Sequence, residues 1–267
     1  MSNPLKLLCV FAHPDDETFG VGSVLAKYGR EGVETYLITA TRGERGWPMA
    51  THPGFAEVAH RRTKELEDAA AILGLRHVTY LNYIDSDLDK ADPQEAIGQI
   101  VSEIRRVRPQ VVITFDPFGN YGQPDHIAIS QFTSAALILS ADASYTDPTN
   151  TPPHRVSKLY YLADSQPLLD LYQQHFGAIN FLVDDVIRQG VGWPEWALTT
   201  RIDADAYWEV AWWAMACHAS QIDDLTLMGQ IVRDHHALLV GQRTFYRVYS
   251  LVNRGRELET DLFAGLR

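Results

Sequence analysis

The chain has 267 residues, 46% of them hydrophobic, and a formal net charge of −11. That is enough apolar material for one sizeable α/β domain. The acidic balance argues against nucleic acid, which is held by clustered Lys and Arg, and offers nothing to an anionic membrane. No apolar run approaches transmembrane length. The N-terminus lacks the order of a secretory signal. Cys9 and Cys217 sit in apolar surroundings, so a cytoplasmic protein without disulfides is expected.

The first half alternates strand-like and helix-like runs. Residues 5–12 form an apolar run of strand length, and 20–32 read as a helix closed by Gly32. Residues 34–41, rich in β-branched and aromatic side chains, predict a second strand. A helix with a charged face follows over 56–73 and stops at Gly74. The pattern continues with a strand at 77–83, a helix at 93–107 with Pro93 in its first turn, a strand at 111–116 and a helix at 125–140. Such alternation predicts a Rossmann-like, mostly parallel sheet with helices on both faces. The strands lack apolar–polar alternation, as strands covered on both sides do. Residues 141–155, with Pro148, Pro152 and Pro153, predict a loop, and 157–163 a fifth strand. Beyond that the pattern weakens. A strand is suggested at 180–184 and helices at 203–218 and 223–239, while 244–252 suits either type. The reading is one domain over 1–267, with a core at 1–140 and a C-terminal elaboration at 141–267 completing the pocket.

The sharpest local feature is Ala12-His13-Pro14-Asp15-Asp16-Glu17, directly after the first strand. Ligands of open α/β sheets bind at the carboxyl ends of strands, where strand order reverses. His13 and Asp16, three residues apart on a turn stiffened by Pro14, can face one ion, and their donor atoms suit zinc. The glycine-rich stretch after the fourth strand ends in Pro124-Asp125-His126. With strands one and four side by side, His126 joins His13 and Asp16. Three protein ligands and an open position make a catalytic zinc site; Fe(II) accepts the same donors. Asp15 is then the natural general base for a metal-activated water. Tyr121, on the facing loop, is placed to donate to the oxyanion of a tetrahedral intermediate.

These motifs resemble those of the LmbE-like (PIG-L-type) metal-dependent N-deacetylases, which include enzymes of mycothiol and bacillithiol metabolism. Further matches are Thr41-Arg42-Gly43-Glu44-Arg45-Gly46, Arg62-Thr63-Lys64-Glu65 and His218-Ala219-Ser220-Gln221. The resemblance implies zinc on His13, Asp16 and His126, Asp15 as base, and Glu44, Arg62, Asp85, Tyr121 and Gln123 around the substrate. The implied reaction is removal of an N-acetyl group from an amino sugar or its conjugate, and oligomers are common in the family. One departure stands out. The family's His-Pro-Asp-His begins here with Gln123, which donates a hydrogen bond but is no proton donor at neutral pH. Asp15 would then protonate the leaving amine, and Asp125 would lose the His it orients.

Plainer readings stand beside these. Tyr121 also suits loop packing, Asp15 the orientation of a ligand, and Arg62 a pair with Glu65 on one helix face. Glu44 and Asp85 also read as ordinary loop residues. The run Trp208, Trp212, Trp213 reads as core packing, and His235-His236 as surface or capping. Asp85-x-Asp87-x-Asp89 lacks the glycine and bidentate glutamate of a calcium loop. No glycine-rich nucleotide motif is present. Two rival functions remain: an amidase acting on a larger thiol or sugar conjugate, and a non-catalytic metal- or carbohydrate-binding protein.

Overall fold

The computed structural model describes residues 4–47, 51–177, 180–183, 185–255 and 257–267. Five parallel strands form its centre: β1 (Lys6–Phe11), β2 (Glu34–Thr41), β3 (His77–Tyr83), β4 (Val111–Phe115) and β5 (Lys158–Leu162). Two later strands extend the sheet, β8 (Thr200–Asp203) and β9 (Gln242–Ser250), giving the order β3-β2-β1-β4-β5-β9-β8. β9 runs antiparallel to β5, and β8 antiparallel to β9. The sheet is therefore mixed, with its parallel part in the predicted doubly wound order.

Helices α1 (Asp16–Arg30) and α2 (Phe55–Leu73) pack with α7 (Trp208–Cys217) on one face. Helices α3 (Pro93–Val107) and α5 (Pro124–Ala141) pack together on the other. β1 and β4 are buried along nearly their whole length, which is why they read as unbroken apolar runs. β1 pairs with β2 on one side and β4 on the other, so the chain reverses direction across the sheet between β1 and β4. The carboxyl ends of these two strands open the crevice that holds the candidate site.

Local chemistry explains most element ends. α1 starts four residues earlier than periodicity predicts, because Asp16 and Glu17 occupy its first turn and suit the positive end of the helix dipole. α5 starts with Pro124 at its first position, and the Gln123 side chain accepts the His126 N–H at 2.8 Å. The loop at 141–155 is fastened from within. Arg105 pairs with Asp147 at 2.9 Å and donates to the carbonyls of Leu139, Ser140, Asp142 and Thr151.

The C-terminal third departs furthest from expectation. A helix α6 (Gln166–Phe176) follows β5 where no element was predicted. The strand suggested at 180–184 is β6 (Asn180–Val183), hairpin partner of β7 (Val186–Gln189); Asp184 lies outside the described residues, as do Met1 to Asn3 of the N-terminal reading. The helix predicted over 203–218 is shortened to α7, because Asp203 pairs with β9 and 205–207 wind as a tighter 3-10 turn. α8 (Leu225–His236) is capped by Asp224, whose side chain accepts the Leu227 N–H, and passes through a wider π-type turn into β9. The segment that suited either type is thus a strand. Trp213 is exposed rather than core, Trp208 stacks on His236, and Cys217 is only half-buried. Lys158, fully buried on β5, pairs with Glu259 at 2.6 Å and ties the C-terminal tail to the sheet. No helix among the described residues is long and apolar enough to cross a membrane.

Candidate active site

His13 and Asp16 leave β1 on the turn into α1, and His126 enters from the first turn of α5. His126 Nε2 lies 3.2 Å from His13 Nδ1 and 3.5 Å from Asp16 Oδ1, and His13 Nδ1 lies 3.7 Å from Asp16 Oδ2. A tetrahedral zinc with bonds near 2.0–2.1 Å needs ligand–ligand edges of about 3.3 Å. The three side chains offer donor types that suit zinc, one donor atom from each lying within 4.8 Å of the other two. All three are buried or nearly so.

Surrounding groups fix these three side chains. His13 Nε2, turned away from the cluster, meets Asp125 Oδ2 at 3.1 Å and Asp85 Oδ1 at 3.3 Å. Such a carboxylate partner sets which ring nitrogen is left for a metal. Asp125 is itself held by the N–H groups of Ser86 and Leu88. The sequence reading, in which Asp125 loses its partner because position 123 is Gln, is thus corrected: the partner is His13. Phe115, ending β4, stacks on His126 with ring centroids 3.8 Å apart and 6° between planes. Asp16 Oδ2 also accepts the N–H groups of Ala12 and His13.

Without a metal the cluster holds protons. Burial opposes charge on His13, but the Asp85 charge and hydrogen bonds to Asp125 and Asp85 outweigh it and hold the imidazole well above its ordinary pKa. Burial and the His13 charge press His126 far below its own. Asp16 is pushed up to about 7 by burial, against the pull of His13. A metal ligand must be deprotonated, so an ion here displaces protons.

Asp15 lies on the cavity wall in a left-handed conformation, φ 108°. Its N–H donates to Glu17 Oε2 at 3.0 Å, and its carboxylate meets Arg62 Nη2 at 3.1 Å. The same guanidinium donates to the carbonyls of Pro14 and Gly43. Gly43 has φ 66°, and a Cβ there would stand 2.2 Å from Arg62, so only glycine permits this approach. Burial raises the Asp15 pKa, with Arg62 the main opposing influence.

The cavity has a volume of about 480 Å³, with Asp15, Asp16, Tyr121 and His126 in its wall. Tyr121 meets His126 edge-on, ring centroids 5.5 Å apart. Four residues expected around the substrate are not among the cavity-lining residues. Arg62 lies behind Asp15 and does not pair with Glu65, which instead accepts from Ser220. Glu44 accepts the Asp85 N–H. Asp85 accepts the N–H groups of Arg45 and Gly46 and faces His13. Gln123 caps α5. Each is turned inward because a buried main-chain or charged group needs it as a partner.

Sequence reasoning missed the support of this site. His218, quoted only as part of a family match, is fully buried against Glu17, 2.8 Å away, and Glu17 in turn holds the Asp15 N–H. Membership of two quoted motifs was their only trace. His235 and His236 are peripheral: His175 meets the first, Asp205 the second.

Residues 8–137 match the model of the PIG-L family, described as GlcNAc-PI de-N-acetylase. The chain is 33% identical to 1D-myo-inositol 2-acetamido-2-deoxy-alpha-D-glucopyranoside deacetylase of Thermobifida fusca, over 98% of this chain and 100% of that one. It is 30% identical to mycothiol S-conjugate amidase of Streptomyces coelicolor, over 100% and 99%. Its fold is similar to that of N,N'-diacetylchitobiose deacetylase from Pyrococcus horikoshii (TM-score 0.68, 21% identity, 91% of this chain and 83% of that one).

Proposed function

Because the chain belongs to the PIG-L (LmbE-like) family, we propose that it is a metal-dependent amide hydrolase that removes the N-acetyl group from an amino sugar conjugate. The observation that carries this reading is the convergence of His13, Asp16 and His126 at one end of a cavity whose wall includes Asp15. His13, Asp16 and His126 would hold a zinc or ferrous ion, which would supply Lewis acidity toward the water and the amide carbonyl. Asp15 takes the proton of the attacking water, its burial lifting its basicity above that of a free carboxylate. The Tyr121 hydroxyl, kept protonated because burial raises its pKa, donates to the oxyanion. Asp15 then returns the proton to the leaving amine, since the Gln123 oxygen is committed to the His126 N–H and its amide is no acid.

The test is acetate release from N-acetylated amino sugars and their conjugates, with chelator, with zinc restored, and with Asp15→Ala. Chelator-sensitive release that zinc restores, lost in Asp15→Ala while metal is retained, is the expected result. A zinc-loaded Asp15→Ala protein with full activity removes Asp15 from the mechanism. The full-length similarity to an S-conjugate amidase favours one second reading, hydrolysis of a bulkier acyl group. Bulky acyl substrates turned over faster than acetyl ones would establish it.

A further inference from the structure

The same cavity is lined by residues of β5, β9, α1 and α6, and Asp164, two residues after β5, is one of its lining residues. Its main chain is fixed, because its carbonyl accepts the Trp193 N–H at 2.8 Å and α6 begins two residues later. Its side chain is 16% exposed. Among the described residues no donor lies within hydrogen-bond distance of that carboxylate, and the nearest cation, Arg243, is 3.7 Å away. Arg243 is spoken for: Nε, Nη1 and Nη2 donate to the carbonyls of Gly20, Leu239 and Phe19 at 2.6, 2.8 and 2.6 Å. Burial, partly offset by Arg243, raises the Asp164 pKa, as expected of a carboxylate short of donors.

A sheltered carboxylate without protein donors needs them from whatever fills the cavity. We infer that Asp164 accepts hydrogen bonds from hydroxyl groups on the amine-bearing part of the substrate, so that the pocket takes uncharged polyhydroxylated amides and turns away phosphorylated or carboxylated ones. The inference rests on the amide-hydrolase reading for the reaction, and on the cavity itself for the selectivity. An anion entering here sheds water and, among the described residues, finds no free cationic donor in the cavity wall, since Arg243 is the one Lys or Arg among the described lining residues. Arg188, on the nearby hairpin, lies against Gly122 and does not line the cavity. Phe19 and Tyr172 supply apolar and aromatic wall suited to the carbon faces of a sugar or cyclitol.

The experiment uses methyl 2-acetamido-2-deoxyglucoside, its 6-phosphate and its O-methylated form, with the wild-type protein, Asp164→Asn and Asp164→Ala. The readouts are kcat and KM for acetate release by zinc-loaded protein, and calorimetric Kd values for the corresponding free amines. The wild type should prefer the neutral compound to the phosphate and to the O-methylated form by about tenfold or more, the worth of one charge-assisted hydrogen bond. Asp164→Asn should raise KM and Kd for the neutral compound by a similar factor, change kcat far less, and narrow the preference. Equal selectivity in the wild type and both variants overturns the inference, as does tighter binding of the phosphate by the wild type. Turnover without Asp164 dependence overturns it and leaves the hydrolase reading standing. Asp164-dependent discrimination in binding without acetate release upholds it and removes the deacetylase reading. No binding of any probe by folded, zinc-loaded protein also overturns it.

Discussion

Arg62→Met offers a sharp test of how Asp15 is tuned. The guanidinium lies 3.1 Å from the Asp15 carboxylate, with side-chain exposures of 4% and 21%. At that distance and an effective dielectric of about 20 the attraction is about 5 kcal/mol. Asp15 is partly open to water, which recovers some of the loss, so a net effect of about 3 kcal/mol, or two pKa units, is expected. Burial already holds this carboxyl above its ordinary value and Arg62 is the largest influence pulling it down, so its removal drives the pKa further up. If Asp15 is the base, it must be ionised to act. The acid limb of kcat/KM for acetate release then moves up by about two pH units, activity below the limb falls about a hundredfold, and the alkaline plateau changes little. Arg62→Lys keeps the charge and should return the limb most of the way. The variant also leaves the carbonyls of Pro14 and Gly43 without their donor, at about 1–3 kcal/mol each, so folding and metal content are checked by melting and metal analysis. An acid limb unmoved in folded, metal-loaded Arg62→Met refutes the assignment of that limb to Asp15.

Three further outcomes are expected. Asp125→Asn removes the carboxylate behind His13 and should weaken zinc binding by about 10–100-fold, as read by competition with a chromophoric chelator; unchanged affinity would mean His13 is oriented by Asp85 alone. Gln123→Ala removes the side-chain cap of α5 and should cost about 1 kcal/mol in denaturant unfolding; a loss of activity without loss of stability would point to a direct catalytic role instead. In metal-free protein Asp16, raised to about 7, and His13, held well above its ordinary value, both bind protons more tightly folded than unfolded. Their contribution to stability is complete below the unfolded values of about 4 and 6.5, and is lost as pH climbs through the folded ones. The melting temperature with chelator should therefore fall between pH 4 and 8 relative to Asp16→Asn, and zinc should abolish the fall; parallel curves for the two proteins would refute this account.

Much of the parallel core was legible because its signals are local. Strands buried on both faces read as unbroken apolar runs, helix ends carry Pro, Gly and acidic markers, and His13, Asp16 and His126 sit in short motifs at strand ends. Asp15 and Tyr121 belong to the same turns, and the structure sets them in one cavity wall. The C-terminal third was less legible because its pairing is not local. Residues 200–202 carried no predicted element and Asp203 read as the start of a helix; together they become β8 by pairing with β9.

Tertiary contact alone decided what the polar residues around the site do. The family resemblance suggested that Arg62, Glu44, Asp85 and Gln123 lie around a substrate. Folding instead left buried carbonyls, N–H groups and the Asp15 charge that only these side chains could satisfy, and leaving such groups unpaired costs more than the residues would gain in an open pocket. Glu17 and His218, 201 positions apart, form a pair that no spacing rule anticipates. Asp164 is distinguished by the reverse circumstance, that folding brings it no donor. The sequence determined which residues could do chemistry here, because side-chain type and short-range turns are local properties; which of them face the cavity was decided by the fold, because the demand for hydrogen-bond partners arises only once distant segments are buried together.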